Sequence, residues 1–208
     1  MRILLLADEE CRALWDDFRR ERLDGIDLIL ACGDLDPDYL SFLATFAVVP
    51  IVYVPGNHDG RYASHAPEGC LCADGRIVTC TCGGQKVRIL GLGGCMRYNG
   101  GAHQYTEAQM RSRVRRLRPA LHRLKGFDIL LTHAPVQGLG DGEDAAHAGF
   151  AVFRDLIDRY HPVLAAHGHM HKNYSAHFRT ERQFEWSDGS GSTRVVNGFE
   201  RAVIEIEI

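Results

Sequence analysis

The sequence predicts an α/β fold with parallel strands joined by crossover helices. Two observations carry that prediction. Over about the first sixty residues, short apolar runs alternate with stretches of helical spacing. Each run is also only strand length, and nearly free of polar residues, as for a strand buried on both faces.

Taken in order, "MRILLLAD" reads as the first strand. "EECRALWDDFRRERL" follows with Leu14, Trp15 and Phe18 at helical spacing and predicts a helix. "DLILACGD" is a second strand, and "PDYLSFLATFA" a helix with Pro37 in its first turn. "VVPIVYVPGNHD" is a third strand. The middle changes character: "GRIVTCTCGGQKVRILGLGG" predicts two strands around a Gly-Gly turn. "TEAQMRSRVRRLRPALHRLKG" predicts a helix capped by Thr106, with an apolar stripe of Met110, Val114, Leu117, Leu121 and Leu124. Pro119 kinks this helix or begins a second short one. "FDILLTHAP" is a strand, "FAVFRDLIDRYH" a helix, and "PVLAAHGHMH" a strand and loop. From Asn173 onward "NYSAHFRTERQFEW", "STRVVNG" and "RAVIEIEI" read as strands, with a turn at "SDGSGS".

The chain has 208 residues and no linker-like stretch, so one domain spanning 1–208 is expected. The composition is that of an ordinary globular protein, and a net charge of -3 gives no general pull toward nucleic acid or anionic membrane. The first apolar run, Ile3 to Ala7, is too short to span a bilayer and leads into acidic residues, with no signal-type cleavage site. Seven cysteines, an odd number, favour reduced thiols and a cytoplasmic location. Cys70, Cys72, Cys80 and Cys82 could meet across a hairpin and bind zinc. Their C-x-C spacing departs from the usual C-x2-C, and ordinary core thiols are the simpler reading. The seven Arg and Lys from Arg111 to Lys125 could face a polyanion, although the apolar stripe already explains them as a solvated helix face.

The polar residues that end the strands carry the functional reading. Strand one ends in Asp8 and Glu10, strand two in Asp34, strand three in Asn57, His58 and Asp59. "THAP" supplies His133, and "HGHMH" supplies His167, His169 and His171. In a parallel sheet these ends share one edge, where ligands bind in open α/β folds. Any one of these residues alone reads as a turn residue, a cap or a buried imidazole. Together they would crowd carboxylates at a desolvated rim, a conflict that bound cations remove.

In order, "LLLADEE", "CGD", "GNHD", "THAP" and "GHMH" resemble the motif blocks of the calcineurin-like metallophosphoesterases over nearly the whole chain. The resemblance implies a four-layer αββα sandwich of two mixed β-sheets flanked by helices. It implies two divalent metals bridged by Asp34. Asp8, Glu10 and His171 would complete the first metal, and Asn57, His133 and His169 the second. His58 would meet the phosphoryl group or protonate the leaving oxygen. Two divalent ions neutralise a phosphate ester and lower the pKa of a bridging water, giving hydroxide in line with phosphorus. The implied activity is hydrolysis of phosphodiesters or small phosphorylated metabolites. A non-catalytic scaffold of the same fold is the alternative, and a nuclease using the Arg-rich helix a weaker one. His58 argues for turnover, since a scaffold has no use for a histidine outside the metal shell.

The sequence departs from the family pattern at two places. The usual first block is Asp-x-His, whereas here it is Asp8-Glu9-Glu10. An oxygen donor at Glu10 leans the site toward manganese or magnesium, with iron and zinc also compatible. Where many relatives place a carboxylate three residues after the bridging Asp, this chain has Pro37 between Asp36 and Asp38. Support for His58 is therefore unassigned, with Asp59 as a candidate or a plain turn residue. The run from Asp144 through His147 to Gly149-Phe150 is similar to one after "THAP" in some members. Asp141, Asp144 and His147 could reach the site, with His147 touching substrate, or the run could simply start a helix. Arg61, Arg97 and Asn99 are further candidate phosphate contacts.

Overall fold

The computed structural model describes residues 1–171 and 180–208. β1 (Arg2–Leu6), β2 (Leu28–Ala31), β3 (Ile51–Tyr53) and β4 (Leu71–Cys72) run parallel. β13 (Ala202–Glu205) adds antiparallel to β1, giving the order β13-β1-β2-β3-β4. The strands of the second sheet are β5 (Arg76–Cys82), β6 (Gln85–Leu92), β9 (Ile129–Thr132), β10 (Leu164–His167), β11 (Glu181–Glu185) and β12 (Ser192–Asn197). Their order is β11-β12-β10-β9-β6-β5. β6, β9, β10 and β12 are parallel, with β5 and β11 antiparallel at the edges. Both sheets are mixed, as the resemblance implied.

Side-chain alternation places the central strands between two apolar layers. Ile3 and Leu5 of β1 face inward with Leu28 and Leu30 of β2. They meet Val87, Ile89, Ile129, Leu131, Leu164 and Val196 of the second sheet. Leu4, Leu6 and Ile29 face outward, where α1 (Pro37–Phe46) covers them with Tyr39, Leu40 and Leu43. On the far side, Leu90, Leu130 and Val195 lie under α2 (Glu107–Arg116), α3 (Arg118–Leu124) and α4 (Ala151–Tyr160). The result is the four-layer helix–sheet–sheet–helix sandwich. Asp36 caps α1 by accepting from Asp38 N at 2.8 Å, with Pro37 in the first turn. Thr106 and Gln109 form a capping box on α2, and the chain re-enters a helix at Arg118-Pro119. Gly83 and Gly84, at φ 54° and 78°, make the tight turn between β5 and β6.

One expectation is corrected. Between β1 and β2 no α-helix forms; the segment holds two 3-10 turns, Arg12–Leu14 and Arg20–Leu23. The Arg22 guanidinium donates to the carbonyls of Ala13 and Asp17, groups that a regular helix would use internally. Trp15 and Phe18 still anchor on α1, edge-on to Phe42 at 5.3 and 5.1 Å between centroids. The four cysteines are core and edge thiols, as the simpler reading had it, and do not meet across one hairpin. Cys72 ends β4, which pairs with β3, and Cys70 packs with it outside the first sheet. Cys80 and Cys82 lie on β5, which pairs with β6, and pack between the sheets. All seven cysteines are free thiols. The strand expected over residues 173–179 lies outside the described residues.

Candidate metal centre

The loops that leave the parallel strands pack against one another so closely that side chains are excluded. A Cβ on Gly56 would sit 2.1 Å from the Asp34 carboxylate, and one on Gly33 would sit 2.4 Å from the Gly56 nitrogen. These glycines let the "CGD" and "GNHD" loops interlock. Asp8, Asp34 and His169 themselves hold left-handed backbones, at φ 67°, 56° and 67°. For non-glycine residues that strain costs energy, and it is characteristic of functional sites.

One oxygen of Asp34 and one nitrogen each of His133 and His169 lie within 4.8 Å of one another. His133 Nε2 is 3.3 Å from Asp34 Oδ2, 3.0 Å from Asn57 Oδ1 and 3.1 Å from His169 Nδ1. The outer nitrogens are already occupied. His133 Nδ1 donates to the Cys32 carbonyl at 2.8 Å, and His169 Nε2 to the Ala146 carbonyl at 2.8 Å. Such partners fix ring orientation and leave the inner nitrogens to a metal. Beside this group the Asp8 carboxylate accepts from His169 N at 2.9 and 3.0 Å and stands 3.7 Å from His171 Nε2. Asp8, Asp34, Asn57, His58, His169 and His171 line one cavity of roughly 460 Å³, together with Tyr98, Ala146 and His147.

The electrostatics match a centre built for a cation. Burial opposes charge on His133, but the adjacent Asp34 carboxylate outweighs it and raises the imidazole to about 9. For Asp34, burial pushes upward, and His133 with the His58 N–H overcomes it, lowering the carboxyl to about 2. Burial, reinforced by charged His133, lowers His169 to about 4. In the metal-free protein a proton on His133 thus does the neutralising work of a metal. The donor set of carboxylate, amide oxygen and imidazole nitrogen suits divalent first-row metals, so the residues present fit the ions that the motifs imply.

Asp59 is a brace between ligand loops. Its Oδ2 accepts from Asp34 N and Gly56 N, both at 2.7 Å, and it is 3% exposed. Burial raises its carboxyl to about 6 despite those two donors. His58 is exposed on the cavity, and its backbone N–H donates to Asp34 Oδ1 at 2.7 Å. Glu10 Oε1 accepts from Asp36 N at 2.7 Å, which ties the first motif to the start of α1.

The candidate substrate contacts separate into two groups. His147 lines the cavity, held by Asp144 through Nδ1 at 2.8 Å. Arg61 pairs with Asp36 at 2.8 Å, Arg97 with the Gln109 side chain at 3.1 Å, and Asn99 Oδ1 accepts from Gln104 and Gly101. Asp141 braces its own loop by accepting from Gly138 N and Gly149 N. His167 is buried behind the cavity and bonds the Gly168 carbonyl. Sequence reasoning missed Tyr98, which lies between Arg97 and Asn99 and whose hydroxyl is 3.4 Å from Asn57 Nδ2.

The calcineurin-like phosphoesterase family model matches residues 1–173, and the chain belongs to that family. The protein is accordingly a hydrolase acting on phosphate esters, with a candidate metal site at Asp34, His133 and His169. Its fold is similar to that of TT1561 of Thermus thermophilus, at 16% identity and TM-score 0.64 over 96% of this chain and 89% of that one. It is also similar to GAP50, the anchor in the inner membrane complex of Plasmodium. There identity is 11% and TM-score 0.53, over 95% of this chain and 70% of that one. Comparison with curated proteins gives no match.

Proposed function

We propose that the cavity holds two divalent ions bridged by Asp34 and hydrolyses phosphodiesters or small phosphorylated metabolites. The observation that carries this reading is the convergence of Asp34, His133 and His169 with the Asn57 oxygen on one point. Asn57, His133 and His169 hold one ion. Asp8 and His171 hold the other, with Glu10 contributing the carboxylate oxygen that Asp36 leaves available. Manganese suits this oxygen-rich set best. When bound, the metals supply charge neutralisation and a water of lowered pKa.

The chain's own residues do the rest. Asp34 has two oxygens to share, and Asp59 fixes the backbone beneath it. His58 lines the cavity outside the ligand cluster, from where it hands a proton to the leaving ester oxygen. The cavity, at roughly 460 Å³, is of a size that takes a compact phosphate ester. The free thiols support a reducing, cytoplasmic setting.

The test is a panel of chromogenic phosphodiesters and monoesters with added manganese, run beside His58→Ala. Metal-dependent hydrolysis that prefers diesters or small esters, and that falls by roughly 10²- to 10⁴-fold in the variant, is the expected result. Equal rates from the two proteins would remove His58 from the chemistry.

A further inference from the structure

Tyr98 sits on the loop between two short strands, β7 (Cys95–Met96) and β8 (Gln104–Tyr105). That loop is tightly built. The buried Gln104 side chain accepts three backbone N–H groups through Oε1: Tyr98 at 3.2 Å, Asn99 at 3.1 Å and Gly100 at 3.1 Å. Its Nε2 donates to Asn99 Oδ1 at 2.7 Å, and Gly101 N donates to the same oxygen at 3.0 Å. The base of the loop is tied to both ligand segments. Gly94 N donates to the Pro55 carbonyl at 2.8 Å, just before "GNHD", and Ala134 N, just after His133, donates to the Gly94 carbonyl at 3.3 Å.

This framework holds an aromatic side chain that is 40% exposed, so burial does not account for it. Its hydroxyl lies on the cavity wall and accepts from Asn57 Nδ2 at 3.4 Å. Accepting one hydrogen leaves the phenolic O–H free to rotate and donate. Asn57 Oδ1 already faces His133, so the amide's direction is set and the hydroxyl's remaining hydrogen is directed away from Asn57.

We infer that Tyr98 is a substrate-contacting residue: its hydroxyl donates to a non-bridging phosphoryl oxygen of the bound ester, with Gln104 positioning it. The inference rests on the phosphoesterase reading of the same cavity. It assigns the polar work of the loop to Tyr98 in place of its neighbours Arg97, which pairs with Gln109 of α2, and Asn99, which holds the loop.

The test is Tyr98→Phe, which keeps the ring and removes only the hydroxyl. Three quantities are measured on manganese-loaded protein: metal per chain, the Kd for inorganic phosphate by calorimetry, and kcat/KM on a chromogenic phosphate ester. The expected result is an unchanged metal content, a phosphate Kd raised about tenfold, and kcat/KM lowered about tenfold or more. Phosphate affinity and kcat/KM within about twofold of the parent protein would overturn the inference. So would loss of metal in the variant, which would make Tyr98 only a support for Asn57. Were the parent protein itself inactive on every ester, the functional reading would fail, and the phosphate titration would still decide the role of Tyr98. Gln104→Ala, which frees the loop, should reproduce the weakened phosphate binding with metal content intact. Phosphate affinity equal to the parent's would remove Gln104 from the positioning role.

Discussion

At the level of single residues, the centre is organised by one competition between a proton and a metal. Asp34 favours a proton on His133 in the metal-free protein, and on the proposed reading a metal bound there would displace it. The sign follows directly. His133 binds metal only when neutral, and its pKa is raised to about 9. Apparent metal affinity should therefore rise with pH up to that region and fall progressively below it. Calorimetric titration of manganese in two buffers of different ionisation enthalpy should show release of about one proton near neutrality. Binding without proton release would contradict the pairing. Glu10 gives a second residue-level prediction. Glu10→Ala should lower the bound metal below that of the parent protein under equal loading, and a full metal load would take Glu10 out of the shell. The candidate ligands were legible in the sequence because each follows a buried strand in a recognisable block. Tyr98 was not, since its place depends on Gln104 and the β7–β8 pairing, which lie outside any block. Nor was the bracing role of Asp59 between Asp34 and Gly56, which depends on how two loops approach.

At the level of elements, local chemistry agreed with the fold wherever it was self-contained. The Thr106 cap, the helix re-entry at Pro119 and the Gly83-Gly84 turn each follow from neighbouring residues. Thr106→Ala should lower stability by about 1 kcal/mol, read from the urea midpoint at unchanged slope. No loss would mean that the capping box is dispensable to α2. The reading failed where long-range contacts decided the outcome. Arg22 captures carbonyls between β1 and β2 that helical spacing had assigned to a helix.

At the level of the whole molecule, two sheets share an apolar interior from Ile3 and Leu30 to Ile129 and Val196, while their carboxyl-end loops meet at the cavity. On the proposed reading, stability and function are linked through metal. A ligand that binds only the folded chain adds about 2.7 kcal/mol at a hundredfold excess over its Kd. Manganese should raise the Tm, and Asp34→Asn should remove most of that increment. An unchanged Tm in the parent protein would mean that no ion is held by the folded state.

The most direct measurement is hydrolysis of a chromogenic phosphodiester by protein stripped with chelator and then titrated with manganese, with bound metal determined on the same samples. No turnover in the stripped protein, and recovery that tracks filling of about two ions per chain, are the expected results. Hydrolysis that persists at full rate after the metal is gone would contradict metal-dependent turnover.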